Sequence, residues 1–122
     1  MPGPDERALM FLGLATRAGR TSSGDEACRT AIQKGLASLV LVATDASPGT
    51  QERFRRLCET FGPGFRVFGT KEGLGRFTGR LDRAVVTVND EGFSARLTEL
   101  VDQARPPTSR SEGGGQDDGT TR

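Results

Sequence analysis

The chain has 122 residues, one domain's worth, since two separate cores at that size would each be marginal. It carries 17 Lys and Arg against 16 Asp and Glu, and it contains no His, Trp or Tyr. Without imidazole no Ser-His-Asp or Cys-His nucleophile system can form, and a net charge of +1 argues against a protein that coats nucleic acid by charge alone. A small binding domain is the first reading, ahead of an enzyme, with no catalytic residue, metal site or cofactor expected.

Composition divides the chain. Residues 1–5, MPGPD, read as a disordered lead-in, 6–104 as the ordered domain, and every apolar residue lies within the first 104. Residues 105–122, RPPTSRSEGGGQDDGTTR, contain none and should be disordered, because such a segment cannot bury enough surface to offset its ordering entropy. No apolar run approaches the length of a membrane span and no secretory signal opens the chain, so a soluble, cytoplasmic monomer is expected.

The first helix should run from about Glu6 to Ala18, with Asp5 as N-cap and Leu9, Leu12, Ala15 and Ala18 inward. Arg20-Thr21-Ser22 reads as a short extended piece. Ser23-Gly24-Asp25-Glu26 has the spacing of a capping box and opens a second helix whose inner face is Ala27, Cys28, Ala31 and Ile32, stopped at Gly35. Leu39 to Ala43 is a continuous apolar run that suits a strand buried on both faces. Ser47 and Pro48 start a third helix, with Phe54, Leu57, Cys58 and Phe61 at i, i+3, i+4 and i+7. Glu52/Arg56 and Arg55/Glu59 are spaced for ion pairs on its outer side. Phe65 to Phe68 is a strand, Lys71 to Thr78 a short helix, Ala84 to Val88 another strand, and Asp90 to Ala104 the last helix. This alternation predicts an α/β fold, a three-layer α/β/α sandwich around a small sheet.

Several features are candidates for chemistry. Gly73-Leu74-Gly75-Arg76-Phe77-Thr78-Gly79 follows a strand and is similar to a dinucleotide-binding loop. Its spacing is one residue too long and the next strand follows too soon for a crossover helix, so the glycines are better read as turns at the ends of a short helix. Asp45 and Asp90 stand past strand ends, where carboxylates do acid–base work or hold Mg²⁺, and also beside helix starts, where they cap. Cys28 and Cys58 read as reduced core thiols ahead of a disulfide or a metal site. At the entry to the second helix, Ser22, Ser23 and Gly24 offer backbone N–H groups and a helix dipole to a phosphate or a base edge. Basic residues cluster between Arg66 and Arg83, although charge at that density is commonly a solvated surface. Through Arg83 the chain has 13 basic and 9 acidic residues, so the near-neutral total sums a basic region and an acidic remainder.

Taken together, Leu12-Gly13-Leu14-Ala15-x-Arg17-Ala18-Gly19, Ser23-Gly24, Leu39-Val40-Leu41, Asp45-Ala46-Ser47, Leu74-Gly75-Arg76, Gly79 and Asp90-Glu91-Gly92-Phe93 resemble a known family. It is the kink-turn RNA-binding ribosomal-protein superfamily, and within it the bacterial YlxQ-type proteins; the resemblance spans about Ala8 to Gln103. It implies a mixed sheet of about four strands, the extra one from Arg20-Thr21-Ser22. It also implies recognition of structured RNA, a kink-turn or ribosomal RNA, in a translation context. Relatives insert the start of the second helix at sheared G·A pairs, and a nearby loop covers the bulge nucleotides, the distorted places where A-form RNA becomes readable.

Residue by residue, the family's Gly-x-Asn-Glu-x-x-Lys meets Gly24, Glu26, Ala27 and Thr30 here, with Arg29 one position before the Lys site. The loop reads Gly79-Arg80-Leu81-Asp82-Arg83 where relatives are largely apolar, and Lys71 matches a basic position near the RNA backbone. The implied RNA-contacting set is Ser22, Ser23, Gly24, Asp25, Glu26, Arg29, Thr30, Lys34, Lys71, Arg76, Arg80, Leu81 and Arg83. A Gly24→Asp change is expected to abolish binding with the melting temperature nearly unchanged. The other function to weigh is a protein-interaction adaptor on the same fold without tight RNA binding, motivated by the departures from the Asn-Glu and Lys pattern.

Overall fold

Five helices and four strands alternate along residues 3–104, the residues described by the computed structural model of the chain. They are α1 (Pro4–Arg17), β1 (Thr21–Ser23), α2 (Asp25–Gln33), β2 (Leu39–Val42), α3 (Pro48–Phe61), β3 (Gly64–Val67), α4 (Lys71–Phe77), β4 (Val85–Val88) and α5 (Glu91–Ala104). The lead-in residues 1–2 and the tail 105–122 lie outside them.

The sheet order is β1-β4-β2-β3. The two central strands, β2 and β4, are antiparallel with Val40 opposite Thr87, and every residue in both is buried. β3 joins β2 in parallel, and β1 joins β4 antiparallel with Ser22 opposite Thr87, so the sheet is mixed. Helices α1, α4 and α5 pack together on one face of the sheet, and α2 and α3 pack together on the other. The expected three-layer α/β/α sandwich is the observed fold. Phe54 of α3, Phe68 after β3 and Leu12, Ile32, Leu74 and Leu97 of the helices fill the space on the two sides. Replacing Phe54 by Ala would cost about 3–5 kcal/mol.

Helix starts follow local chemistry, with three corrections. α1 begins at Pro4, so Pro4 and Asp5 belong to the helix and not to a disordered lead-in. Gly3 is the N-cap, Pro4 supplies a preset φ, and Asp5 sits in the first turn where its charge meets the positive end of the helix. The Ser23 capping box does not form: Ser23 is held in β1 by pairing with β4, and α2 starts after Gly24 with no side-chain cap. On α2 and α3 the expected inner faces are one residue too wide. Ala27 is exposed and Phe61 is 47% exposed, each at the margin of its helix, and the stripes that meet the core are Cys28-Ala31-Ile32 and Phe54-Leu57-Cys58. Ala18 is exposed as well, just past the end of α1.

Elsewhere the signals hold. Ser47 Oγ accepts from the Thr50 N–H at 3.1 Å, and Thr70 Oγ1 accepts from Gly73 N–H at 3.0 Å. Arg56 meets Glu52 and Arg55 meets Glu59 at 3.0 Å on the outer face of α3.

Candidate functional site

The turn from β1 into α2 depends on one glycine. Gly24 has φ 91° and ψ 160°, a conformation open in practice to glycine alone. Its N–H donates to the Val85 carbonyl at 3.0 Å and its carbonyl accepts from Cys28 N–H at 3.0 Å, so the turn is locked to the core strand β4. With no side chain capping α2, the amides of its first turn and the positive end of its dipole face outward. The backbone also corrects the Gly24→Asp expectation: any side chain there strains φ, so stability would fall along with any contact.

A second segment is folded against this turn. After α4, Gly79 adopts φ 73°, and Arg80 N–H donates back to the Gly75 carbonyl at 2.8 Å. The buried hydroxyl of Thr78 donates to the Leu74 carbonyl at 2.7 Å. The chain then crosses α4 so closely that a β-carbon on Gly75 would lie 1.5 Å from the Leu81 carbonyl oxygen. Arg83 N–H closes the loop on the Lys71 carbonyl at 2.9 Å. Gly73 and Gly75 are therefore buried inside α4 and are not turn residues at its ends; only Gly79 turns. Leu81 is left 87% exposed.

The two segments meet at Arg83. Its Nε donates to Ser23 Oγ at 3.3 Å, and its side chain passes 3.8 Å from where a Gly24 β-carbon would stand. Between them lies a recess of about 480 Å³. Ser22, Ser23 and Ala27 line one side and Thr78, Arg80 and Arg83 the other, and no carboxylate lines it. Thr16 and Thr21 complete the lining. Thr21 Oγ1 donates to Thr16 Oγ1 at 3.0 Å, which donates to the Leu12 carbonyl at 3.1 Å. Asn89 Nδ2 donates to Ser22 Oγ at 3.0 Å, and Asn89 Oδ1 accepts from Thr87 Oγ1 at 2.9 Å. The recess is thus basic, rich in hydroxyls and braced from the central strand.

The remaining sequence-predicted residues are spread around it. Asp25 is paired with Arg29 at 2.8 Å and with Arg53 of α3, which neutralises its carboxylate beside the start of α2 and occupies Arg29. Glu26 is exposed, as is Thr30. Thr30 and Lys34 share a helical face with Ala27 at i+3 and i+7, with Lys34 roughly 10 Å further along the axis. Lys71 begins α4, its N–H held by Asp45 Oδ1 at 2.8 Å. Arg76 lies apart, over the Phe77 ring in a groove beside α1.

Sequence reasoning missed Thr16, Thr21, Thr78 and Asn89 as parts of this surface. Their only signal is a hydroxyl or amide next to an element's end, which becomes informative once the β1–β4 register is known. Both aspartates cap: Asp90 Oδ2 accepts from Phe93 N–H at 2.8 Å, whereas Asp45 caps α4 from across a loop. Cys28 and Cys58 are free, buried thiols; burial pushes Cys28 up to about 12 and Cys58 up to about 11. Cys28 Sγ, 3.4 Å from the Ser22 carbonyl, is an inert wall behind the recess.

No protein-family model matches the chain. It is 35% identical over 92 residues to the RNA-binding protein YlxQ of Bacillus subtilis, covering 75% of this chain and 92% of that one. It is 31% identical over 101 residues to the RNA-binding protein YlxQ of Enterococcus faecium, covering 82% and 96%. A solved structure of a protein with unknown function from Bacillus halodurans superposes with a TM-score of 0.75 at 35% identity, covering 79% of this chain and 97% of that one. The Giardia lamblia 15.5kD RNA binding protein shares the fold, with a TM-score of 0.70 at 19% identity over 85% and 90% of the two chains.

Proposed function

The chain belongs to the YlxQ family, and from that membership we propose that it is a non-enzymatic RNA-binding protein recognising kink-turn or similarly bent RNA in a cytoplasmic, ribosome- or translation-linked setting. The observation that carries the reading is the recess between the β1–α2 turn and the loop 79–83. It pairs bare helix amides over Gly24 with Arg80 and Arg83, and it has an exposed Leu81 at its side.

In this reading the start of α2 enters the RNA groove where the bend opens it, with Gly24 permitting close backbone approach. Glu26 accepts from a base amino group, and Arg80 and Arg83 take phosphates. Leu81 packs on an unstacked nucleotide of the bulge. Asp25 does not repel the RNA, because Arg29 and Arg53 hold its charge. Shape is read at one bend, so a monomer of near-zero net charge is sufficient.

The test is titration of the full chain with a kink-turn RNA and with a matched straight duplex at two salt concentrations. The bent RNA should bind at least about tenfold tighter, with a shallow salt slope from ~3–5 phosphate contacts. Equal, weak affinity for both RNAs would refute kink-turn recognition.

A further inference from the structure

On the helical layer of α1, α4 and α5, Arg7, Met10, Leu14 and Arg17 follow one another along α1 at i, i+3, i+7 and i+10. That spacing makes a single solvent-facing seam, two apolar residues bracketed by two arginines. Met10 is 50% exposed and Leu14 46% exposed, an unusual cost for a helix whose opposite side fills the core.

The seam is one bank of a groove of about 690 Å³, closed by Phe77 and Arg76 of α4 and by Leu100 and Arg96 of α5. Gly13 lies on its floor, where a β-carbon would just touch the Phe77 carbonyl oxygen at 3.4 Å. The lining is mostly apolar, carries four arginines and includes no acidic residue. Arg96 has a partner in Glu99; among the described residues Arg7, Arg17 and Arg76 have no carboxylate within ion-pair distance.

We propose that this groove docks an acidic amphipathic helix of a partner protein, apolar residues seated on Met10 and Leu14 and carboxylates meeting Arg7, Arg17 and Arg76. Charge complementarity selects the occupant. A second copy would present the same arginines and repel. The chain's own segment after Ala104 contains no apolar residue to cover the floor. A phosphate backbone would satisfy the arginines and leave Met10 and Leu14 wet, whereas Met- and Leu-floored grooves suit apolar side chains of a helix. The seam is roughly 15 Å long, the reach of about ten helical residues. Thr16 lines the polar recess and Arg17 this groove, so the two surfaces flank the end of α1 and can be occupied together.

The probe is a designed helical peptide with Glu, Leu, Leu and Glu at the complementary i, i+3, i+7 and i+10 positions, titrated into the isotopically labelled full chain. Amide shifts should cluster at Met10, Gly13 and Leu14, and affinity should fall at least about tenfold with Leu14→Glu. The same loss is expected with Arg7→Glu plus Arg17→Glu, in which every altered side chain is exposed and the fold is spared. Substituting Lys for both Glu in the peptide should abolish binding. Equal binding of the Lys peptide, or no shift by the acidic peptide, would overturn the proposal. So would a single-stranded RNA oligonucleotide or anionic vesicles shifting the same amides more strongly than the peptide.

Discussion

A β-carbon added to Gly75 would fall 1.5 Å from the carbonyl oxygen of Leu81, a contact no real side chain could make. The loop 79–83 therefore sits where it does only because the helix beneath it has a bare position. Gly75→Ala must lift the loop off α4, at a cost of about 1–3 kcal/mol in chemical denaturation. Although Gly75 is buried, the same variant should bind bent RNA at least about tenfold more weakly, since Arg80, Leu81 and Arg83 all move with the loop. Unchanged affinity would separate the loop from RNA recognition.

Leu81 should behave in the opposite way. At 87% exposure it contributes almost nothing to the core, so Leu81→Ser should change stability by less than about 0.5 kcal/mol. In the proposed function it should weaken kink-turn affinity by about 1 kcal/mol, roughly fivefold, and leave duplex affinity unchanged. Parallel thermal melts and titrations resolve the two effects.

Arg83 both touches Ser23 and lines the recess. Arg83→Ala should weaken RNA binding and lower the salt slope by about one. If its contact with Ser23 positions it, a Ser23→Ala, Arg83→Ala double-mutant cycle should show coupling in RNA affinity. Additive losses would mean that the guanidinium finds its RNA contact unaided.

The positions that depart from the family pattern at the start of α2 are all exposed: Glu26, Ala27 and Thr30. Combining Glu26→Asn, Ala27→Glu and Thr30→Lys should raise affinity for a kink-turn RNA at least about tenfold. The melting temperature should stay within a few degrees of the parent, since none of the three packs in the core. A failure to gain affinity would place the determinants of RNA choice elsewhere on the recess.

The thiols give a pH signature. Burial raises Cys28 from 9.0 to about 12 and Cys58 from 9.0 to about 11, so above pH 9 the folded chain keeps protons that the unfolded chain releases. Their contribution is whole below pH 9 and is lost progressively as pH rises toward 11–12. The urea midpoint should fall across that range, and Cys28→Ala should flatten the fall. The background is small: the chain has no Tyr, and Lys34 and Lys71 are its only lysines.

The fold's interior was legible because β2 and β4 are buried on both faces and show as unbroken apolar runs, and because Ser47-Pro48 and Asp90 mark helix starts by local chemistry. β1 has no apolar residue at all, so its residues suggested only an extended piece over Arg20-Thr21-Ser22, and the family resemblance was needed to place that piece in the sheet. Ser23 has the spacing of a capping residue and is not one, because pairing with Val86 claims its backbone first. Gly73 and Gly75 imitate turn glycines; their reason is a chain segment crossing the helix, which local sequence does not record. The recess was legible as two halves and not as one surface, since Ser23 and Arg83 are brought together by sheet order alone.

The hydroxyls on β1 have a polarity. Ser22 Oγ already accepts from Asn89, and Ser23 Oγ already accepts from Arg83, so each retains a hydrogen to give. Thr21 has spent its hydrogen on Thr16 and retains lone pairs. Consecutive residues of one short strand therefore differ in what they have left to offer: the two serines can still donate, and Thr21 can only accept. A polyanion approaching the strand can therefore draw a hydrogen from Ser22 or Ser23 but none from Thr21, which can only accept, as from a ribose or base hydrogen.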